Sequence, residues 1–585
     1  MAANLAASEE FRIWLETQGN LRFKEALKLS KEGSGNDRET EPYKSKYAAR
    51  EILLNIKNKL ESFIVDECEL KLILISVKCA VHYELGLNHI ETDEISTGER
   101  YLNGVKENFE EYKLKPEFCI VMVKCLQQLG MIWNERGDIE KCLAYFTDAE
   151  ILYNEYTAIS EVAPWNTDML FAFGSGSNSG KESEFESLHT HTFYYLTQAY
   201  KNNGQNKKSA EYGHKTLQRQ LSTKIYDPVD WAVNCATLSQ YHLTQGDYTS
   251  AKHCLAAASC IIVECGNYEE QASLDVENEG EEDRKQRERI PEAKANVALC
   301  WSKYFLNLLK LSAESEYDED TDQPEETKDL NILQFEGLDV SQIESEISFS
   351  RANNFDEARL LFLAGQKHLN AAKQFYQLDG YVLNYVEIIQ DHSQLFRYLT
   401  AFETDLERQC KMCKRRIDML TEVLIELNPQ HYLLICRQLT YEIGSVYGDM
   451  ADLKMEIIKT ANQDKPSVHQ IKKINSLLCN SAKFFSNFID SMKQEGKLPE
   501  KFDESLLRVA LLAHVYLARA HAKQICATRE ERLLNQQKAL DLYKFVVNYC
   551  DNDENGARAF QDELVACREM VDLLPFRLDQ IGQKE

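Results

Sequence analysis

An all-α array of short helical hairpins is the fold class this sequence predicts, and three observations predict it. First, Thr190 to Ile262 holds two hairpins in succession. Leu196, Thr197 and Tyr200 share one helix, Gly204 breaks it, and Ala210, His214 and Leu217 return on the next. Leu238, Ser239, Tyr241, His242, Gly246, Ala251, Leu255 and Ala258 then repeat the plan at the spacing of a tetratricopeptide repeat, in which small residues sit where two helices cross. Second, 585 residues exceed what one growing hydrophobic core accommodates, so the chain is several domains or a repeat array. Third, Gly and Pro are scarce outside a few segments, and strand-like runs bounded by turns are hard to find.

Taken in order, residues 8 to 31 form a helix with an irregular apolar face of Phe11, Trp14, Leu15, Leu21, Phe23 and Leu27. A polar loop, Gly33 to Thr40, leads to a helix carrying Ile52, Leu53, Ile56 and Leu60. An apolar helical face runs from Cys68 and ends at Gly86; Thr92 then caps another helix and Ile95 makes its first core contact. Residues 119–156 give the best single repeat, with Leu129, Gly130 and Trp133, a turn at Gly137 and Asp138, and Cys142, Phe146 and Ala149. Further repeats follow at 190–220 and 230–262, after a Gly/Ser tract from Phe173 to Glu182 that reads as a flexible loop.

Residues 269–289 are charged and nearly free of large apolar residues, the composition of a mobile loop. Order resumes at Pro291 on a helix with Val297, Cys300, Trp301, Phe305 and Leu308. We place an acidic linker at 313–348, dividing an amino-terminal region, 1–312, from a carboxy-terminal helical region, 349–585. The latter holds helices over 356–378, 381–399, 402–427, 431–450, 471–491, 504–526, 531–550 and 557–574. Its repeat matches are fragments: Ile443-Gly444 with Tyr447, and Ala539, Tyr543 and Val546.

The formal net charge of -27 argues against nucleic acid, because neutralising phosphates needs clustered Lys and Arg. It suits solubility and also steering toward a basic protein partner. The first residues lack a signal-peptide plan, and no apolar run reaches membrane-spanning length. The 17 cysteines are therefore expected to be reduced, buried, small hydrophobes of a cytoplasmic protein with no membrane insertion.

No complete catalytic or cofactor motif is present, so no enzyme and no cofactor is expected. The loop at Gly180-Lys181 fails as a phosphate cradle, since Ser175 stands where a glycine is needed and Glu182 where Ser or Thr would hold magnesium. Cys410 and Cys413 form a lone CxxC among Lys411, Lys414, Arg415 and Arg416; a structural zinc needs four ligands, so two helix-face cysteines is the favoured reading. His189 and His191, two apart, do not share a helix face.

A repeat array offers instead the non-core positions of each first helix. Here these are Lys124, Gln127 and Asn134 in one repeat, and His191, Tyr194, Tyr195, Gln198 and Lys201 in the next. Tyr195 and Gln198 are three apart on one face, and Thr237 and Gln240 are their equivalents in the following repeat. An exposed tyrosine beside amides has hot-spot composition; packing between helices is the competing reading, stronger for Tyr194 than for Tyr195. The basic clamp with which co-chaperone repeats hold a terminal carboxylate is replaced by Gln127, Met131, Tyr195, Val233 and Thr237.

Several long, non-repetitive strings go further. They are Glu41-Pro-Tyr-Lys-Ser-Lys-Tyr47, Gly86-Leu-Asn-His-Ile-Glu-Thr-Asp-Glu94 and Asp227-Pro-Val-Asp-Trp-Ala-Val-Asn-Cys-Ala-Thr-Leu-Ser-Gln240. Downstream come Gln390-Asp-His-Ser-Gln-Leu-Phe396, Phe402-Glu-Thr-Asp-Leu-Glu-Arg408, Cys410-Lys-Met-Cys-Lys-Arg-Arg416 and Leu427-Asn-Pro-Gln430. With these the chain resembles the kinesin-binding protein family. The resemblance implies a right-handed α-solenoid of two subdomains that binds the motor domains of a subset of kinesins and keeps them from microtubules, with consequences for axonal transport, neuronal development and mitosis. It places the motor-contacting positions on Tyr195, Gln198, Gln220 and Thr237. The alternative is a general repeat scaffold linking cytoskeletal or transport components without inhibiting motors.

Overall fold

The computed structural model describes residues 2–38, 40–65, 68–174, 184–272, 281–314, 334–347, 351–460 and 466–583. Among these the protein is all-α: helices follow one another in antiparallel hairpins, and the sole β pairing is an isolated bridge between Gln494 and Lys497. Two compact units divide the chain. One comprises Met1–Gln245 with Ile332–Asp339, the other Gly246–Asn331 with Val340–Glu585.

The first unit contains α1 (Ala2–Trp14), α2 (Asn20–Lys28), α3 (Lys44–Ser62), α4 (Cys68–Ile90), α5 (Ile95–Asn108), α6 (Cys119–Glu135) and α7 (Ile139–Ile159). It continues with the short α8 (Thr167–Phe171), then α9 (Glu184–Asn202), α10 (Asn206–Thr223) and α11 (Pro228–Thr244). The single helix expected over 8–31 is here α1 and α2 joined by a π-type turn at Leu15–Gly19, with Phe11, Leu15 and Phe23 fully buried beneath it. Gly86 does not end α4. A Cβ on Gly98 would lie 2.7 Å from the Gly86 carbonyl oxygen and 2.6 Å from Ile90 Cγ1, so the two glycines instead let α4 and α5 cross in contact. Thr92 likewise caps no new helix. It is buried, donates to the carbonyls of Asn88 (3.0 Å) and His89 (3.2 Å), and accepts from Arg50, which closes the end of α4.

The repeat expected at 119–156 is α6 and α7. Gly137 turns the chain at φ +77°, and Asp138 caps α7 by accepting from the Lys141 amide. Leu129, Cys142, Phe146 and Ala149 are buried, and Gly130 lies so close to the Phe146 ring that a Cβ would sit 2.5 Å from it.

The second unit holds α12 (Tyr248–Ala272), α13 (Glu281–Glu314), the short α14 (Ser341–Glu346), α15 (Phe355–Phe375), α16 (Val382–Ala401), α17 (Leu406–Glu426) and α18 (Leu433–Thr460). After these come α19 (Val468–Asp490), α20 (Glu504–Ala522), α21 (Arg529–Asn552), α22 (Glu554–Ala559) and α23 (Gln561–Gln583). The units part at Gln245–Gly246, inside the expected repeat at 230–262, and again on either side of Ile332–Asp339, within the expected linker at 313–348. The reason is that α12 packs on α13 and α14, while α13 lies along α15 and α16.

Of the loop expected at 269–289, residues 269–272 and 281–289 are helical, and 273–280 lie outside the described residues. The physical reason is that Glu, Lys, Arg and Gln are good helix formers. Pro291 consequently lies inside α13. Most of the Gly/Ser tract, 175–182, and residues 315–333 of the acidic tract are also outside the described residues. No described helix is long and apolar enough to cross a membrane.

Candidate partner-binding surface

Three consecutive helices carry the four candidate residues. Helix α10 packs on α9 and on α11, and Gly213 faces both. A Cβ there would stand 3.7 Å from Thr197 on α9 and 3.9 Å from Leu238 on α11. These two side chains are the immediate neighbours of Gln198 and Thr237, so the candidate positions of α9 and α11 flank one point on α10.

Tyr195 and Gln198 lie one turn apart on α9, Gln220 is in the last turn of α10, and Thr237 is midway along α11. Gln198 and Thr237 are exposed, although the Thr237 hydroxyl is turned back onto the Val233 carbonyl at 2.8 Å. Gln220 is half-buried, and its carbonyl accepts the amide of Lys224, the left-handed residue that ends α10.

Tyr195 is not the freely exposed ring that the spacing suggests. It is half-buried and stacked on Phe146 of α7, centroids 5.2 Å apart, and burial pushes its phenol pKa up. Tyr194 is the exposed aromatic, at 48%. The cause is helical phase: His191, Tyr194, Gln198 and Lys201 make one exposed row at i, i+3, i+7 and i+10, and Tyr195 falls one position off it.

The preceding repeat corrects the reading more strongly. Gln127 is buried, and its amide donates to the Leu188 carbonyl (2.7 Å) and to Thr192 Oγ1 (2.8 Å), which ties α6 to α9. Lys124 pairs with Glu184, and Asn134 accepts from Asn202 at 3.4 Å. These side chains join helices and are not held free for a partner.

Sequence reasoning also missed the cluster beneath the surface. Tyr153 of α7 donates to Glu186 of α9 at 2.8 Å, and Glu186 pairs with Arg219 of α10 at 2.5 Å. His189 stacks face to face on Tyr153 at 3.6 Å; burial and the nearby Arg219 and Lys215 cations push its pKa down to about 3, so it is neutral. Only the four-residue spacing of Glu186 and Thr190 hinted that these groups shared a face.

In the second unit Cys410 and Cys413 are buried against Ile417, Val446, Ile474 and Leu478, and burial raises the Cys413 thiol to about 11. Such thiols behave as small hydrophobes. Among their basic neighbours Lys414 pairs with Asp418, and Arg416 is buried with Glu442 and Ser393.

Comparison with known proteins agrees with this architecture. A family model described as KIF-1 binding protein C terminal matches residues 229–581. The KIF-binding protein of Gallus gallus is 37% identical over 96% of this chain and 97% of its own, and that of Homo sapiens 36% over 96% and 98%. The Drosophila melanogaster KIF-binding protein is 30% identical over 96% of each chain. Among solved structures, a cryo-EM map of KIFBP aligns with TM-score 0.60 and 29% identity, covering 96% of this chain and 98% of that one. On this evidence the chain belongs to the KIF-binding protein family.

Proposed function

We propose that this chain is a non-catalytic protein that binds kinesin motor domains and keeps their microtubule-binding face from tubulin. In the cytoplasm it thereby restrains microtubule-based transport, with effects on axon growth, neuronal development and mitosis. The observation that carries this reading is likeness over nearly the whole chain to proteins named KIF-binding protein. The surface of α9 to α11 is consistent with it: Gln198, Gln220 and Thr237 offer uncharged hydrogen-bonding groups, and Tyr195 sits beside them on a rigid stack.

Co-sedimentation of a panel of kinesin motor domains with microtubules tests the proposal. Wild type should hold some motors in the supernatant, and a Tyr195→Ala/Gln198→Ala variant should lose this, each hot-spot truncation costing on the order of 2 kcal/mol. Gln198→Ala and Thr237→Ala are the cleaner single changes, because neither side chain is part of the core. If wild type frees no motor, inhibition is wrong and a scaffold linking transport components becomes the better account.

A further inference from the structure

We propose that Arg219 is a positioning residue for Gln220, a reading that rests on the motor-binding role given above for the α9–α11 surface. Gln220 sits in the last turn of α10, where backbone hydrogen bonds run out and helices fray. Beside the Lys224 amide on the Gln220 carbonyl and the bonds of Gln218 to the Glu336 backbone, what holds this turn onto α9 is the preceding side chain. The Arg219 guanidinium reaches back to α9, where Nη2 meets Glu186 Oε2 at 2.5 Å and the Glu186 carbonyl at 3.5 Å, and Nε meets Thr190 Oγ1 at 3.3 Å.

The guanidinium also lies over two rings, Tyr153 of α7 at 5.4 Å and Phe193 of α9 at 6.0 Å. Glu186 is fixed in turn by the Tyr153 hydroxyl, and Thr190 by its bond to the Glu186 carbonyl at 3.1 Å. Fork and rings together set where the end of α10 stands relative to α9. Tyr195 and Gln198 belong to that same α9, so the Arg219 clamp fixes the spacing between them and Gln220. A guanidinium suits this because its donors form a planar fork that also stacks on rings, which a lysine ammonium does not reproduce.

The test is a double-mutant cycle on the full chain, read as the affinity for a kinesin motor domain. Arg219→Met keeps a stem to pack on the rings and removes the fork; it should weaken binding about tenfold, a coupling within the ordinary range for contacting residues. In a Gln220→Ala background the same change should matter less than about twofold, whereas in Thr237→Ala it should keep its full effect. Arg219→Lys should recover only part of the loss. A full loss in the Gln220→Ala background, or none in wild type, would overturn the proposal.

Hydrogen exchange without any motor separates this idea from the function on which it rests. Amides of residues 220–224 should exchange several-fold faster in Arg219→Met while those of α6 stay unchanged. Unaltered exchange there removes the clamp even if motors bind, and faster exchange in a chain that binds no motor keeps the clamp and removes the function.

Discussion

The hairpin of α6 and α7 and the packing of α16, α17 and α18 solve the same problem by opposite chemistry. In the first, a helix pair closes dry: Gly130 accepts the Phe146 ring, and Leu129, Cys142 and Ala149 fill the remaining space. In the second, the helices close around a charge. Arg416 of α17, with its side chain 7% exposed, donates to Ser393 of α16 at 3.0 Å and approaches Glu442 of α18 at 3.4 Å, and Ser393 donates to Glu442 at 2.5 Å. A repeat consensus records how closely two backbones approach, hence its small residues and glycines. It has no place for an ion pair, whose desolvation is offset only by partners gathered from three helices. Identical topology therefore does not mean identical forces.

Removing one side of the buried pair is the largest way to test this contrast. Glu442→Leu should cost about 3–5 kcal/mol, since Arg416 keeps its burial and loses its nearest carboxylate, with Asp449 left as the other anion beside it. The double change Arg416→Met/Glu442→Leu should recover most of that, because replacing both members is often neutral. Chemical unfolding with a transition reported by this unit measures both. A single-mutant cost below about 1 kcal/mol would mean the pair is solvated and the contrast is one of degree.

Next in size is the glycine comparison. Gly130→Ala puts a methyl 2.5–2.8 Å from three ring atoms of Phe146, a residue only 2% exposed. The ring is also stacked on Tyr195, so it has nowhere cheap to go, and the overpacking should cost about 1–3 kcal/mol. The analogous Gly444→Ala on α18 places its methyl 3.3 Å from Phe484 and Phe485, and should cost less than about 1 kcal/mol. Equal losses in thermal unfolding would mean that the two crossings are equally tight.

That difference explains what was legible beforehand. The α6/α7 hairpin could be read because its close approach demands Gly130 and its turn demands Gly137 and Asp138. The α18/α19 crossing was visible only as Ile443-Gly444 because a hydroxyl shares its work: Ser481 donates to the Gly444 carbonyl at 2.8 Å, and a serine on a helix carries no such message in sequence. Charged composition misled at residues 281–289, where strong helix formers extend α13. At the surface, spacing put Tyr195 and Gln198 on one face. It could not tell which of two adjacent tyrosines packs inward, because that is decided by Phe146 on another helix. The Arg219 cluster was invisible for the same reason: its members come from three helices.

The effect of pH sharpens the contrast from the dry side. Glu84 on α4 is a desolvated carboxylate whose pKa burial raises to about 7, in spite of the opposing charges of Lys124 and Lys31. Unfolded, it titrates near 4.5. Between these values the folded state binds the extra proton, so Glu84 takes nothing from stability below about pH 4.5 and progressively lowers it as pH rises toward 7. Glu84→Gln keeps the shape, removes the titration, and should be more stable than wild type at pH 8, by at most about 3 kcal/mol, while matching it near pH 4.5. Paired unfolding curves at the two pH values measure this. If the variant is instead less stable at pH 8, the ionised carboxylate is held by Lys124 and Lys31. The packing of α4 on α6 would then, like that of α16 to α18, be closed partly around charge.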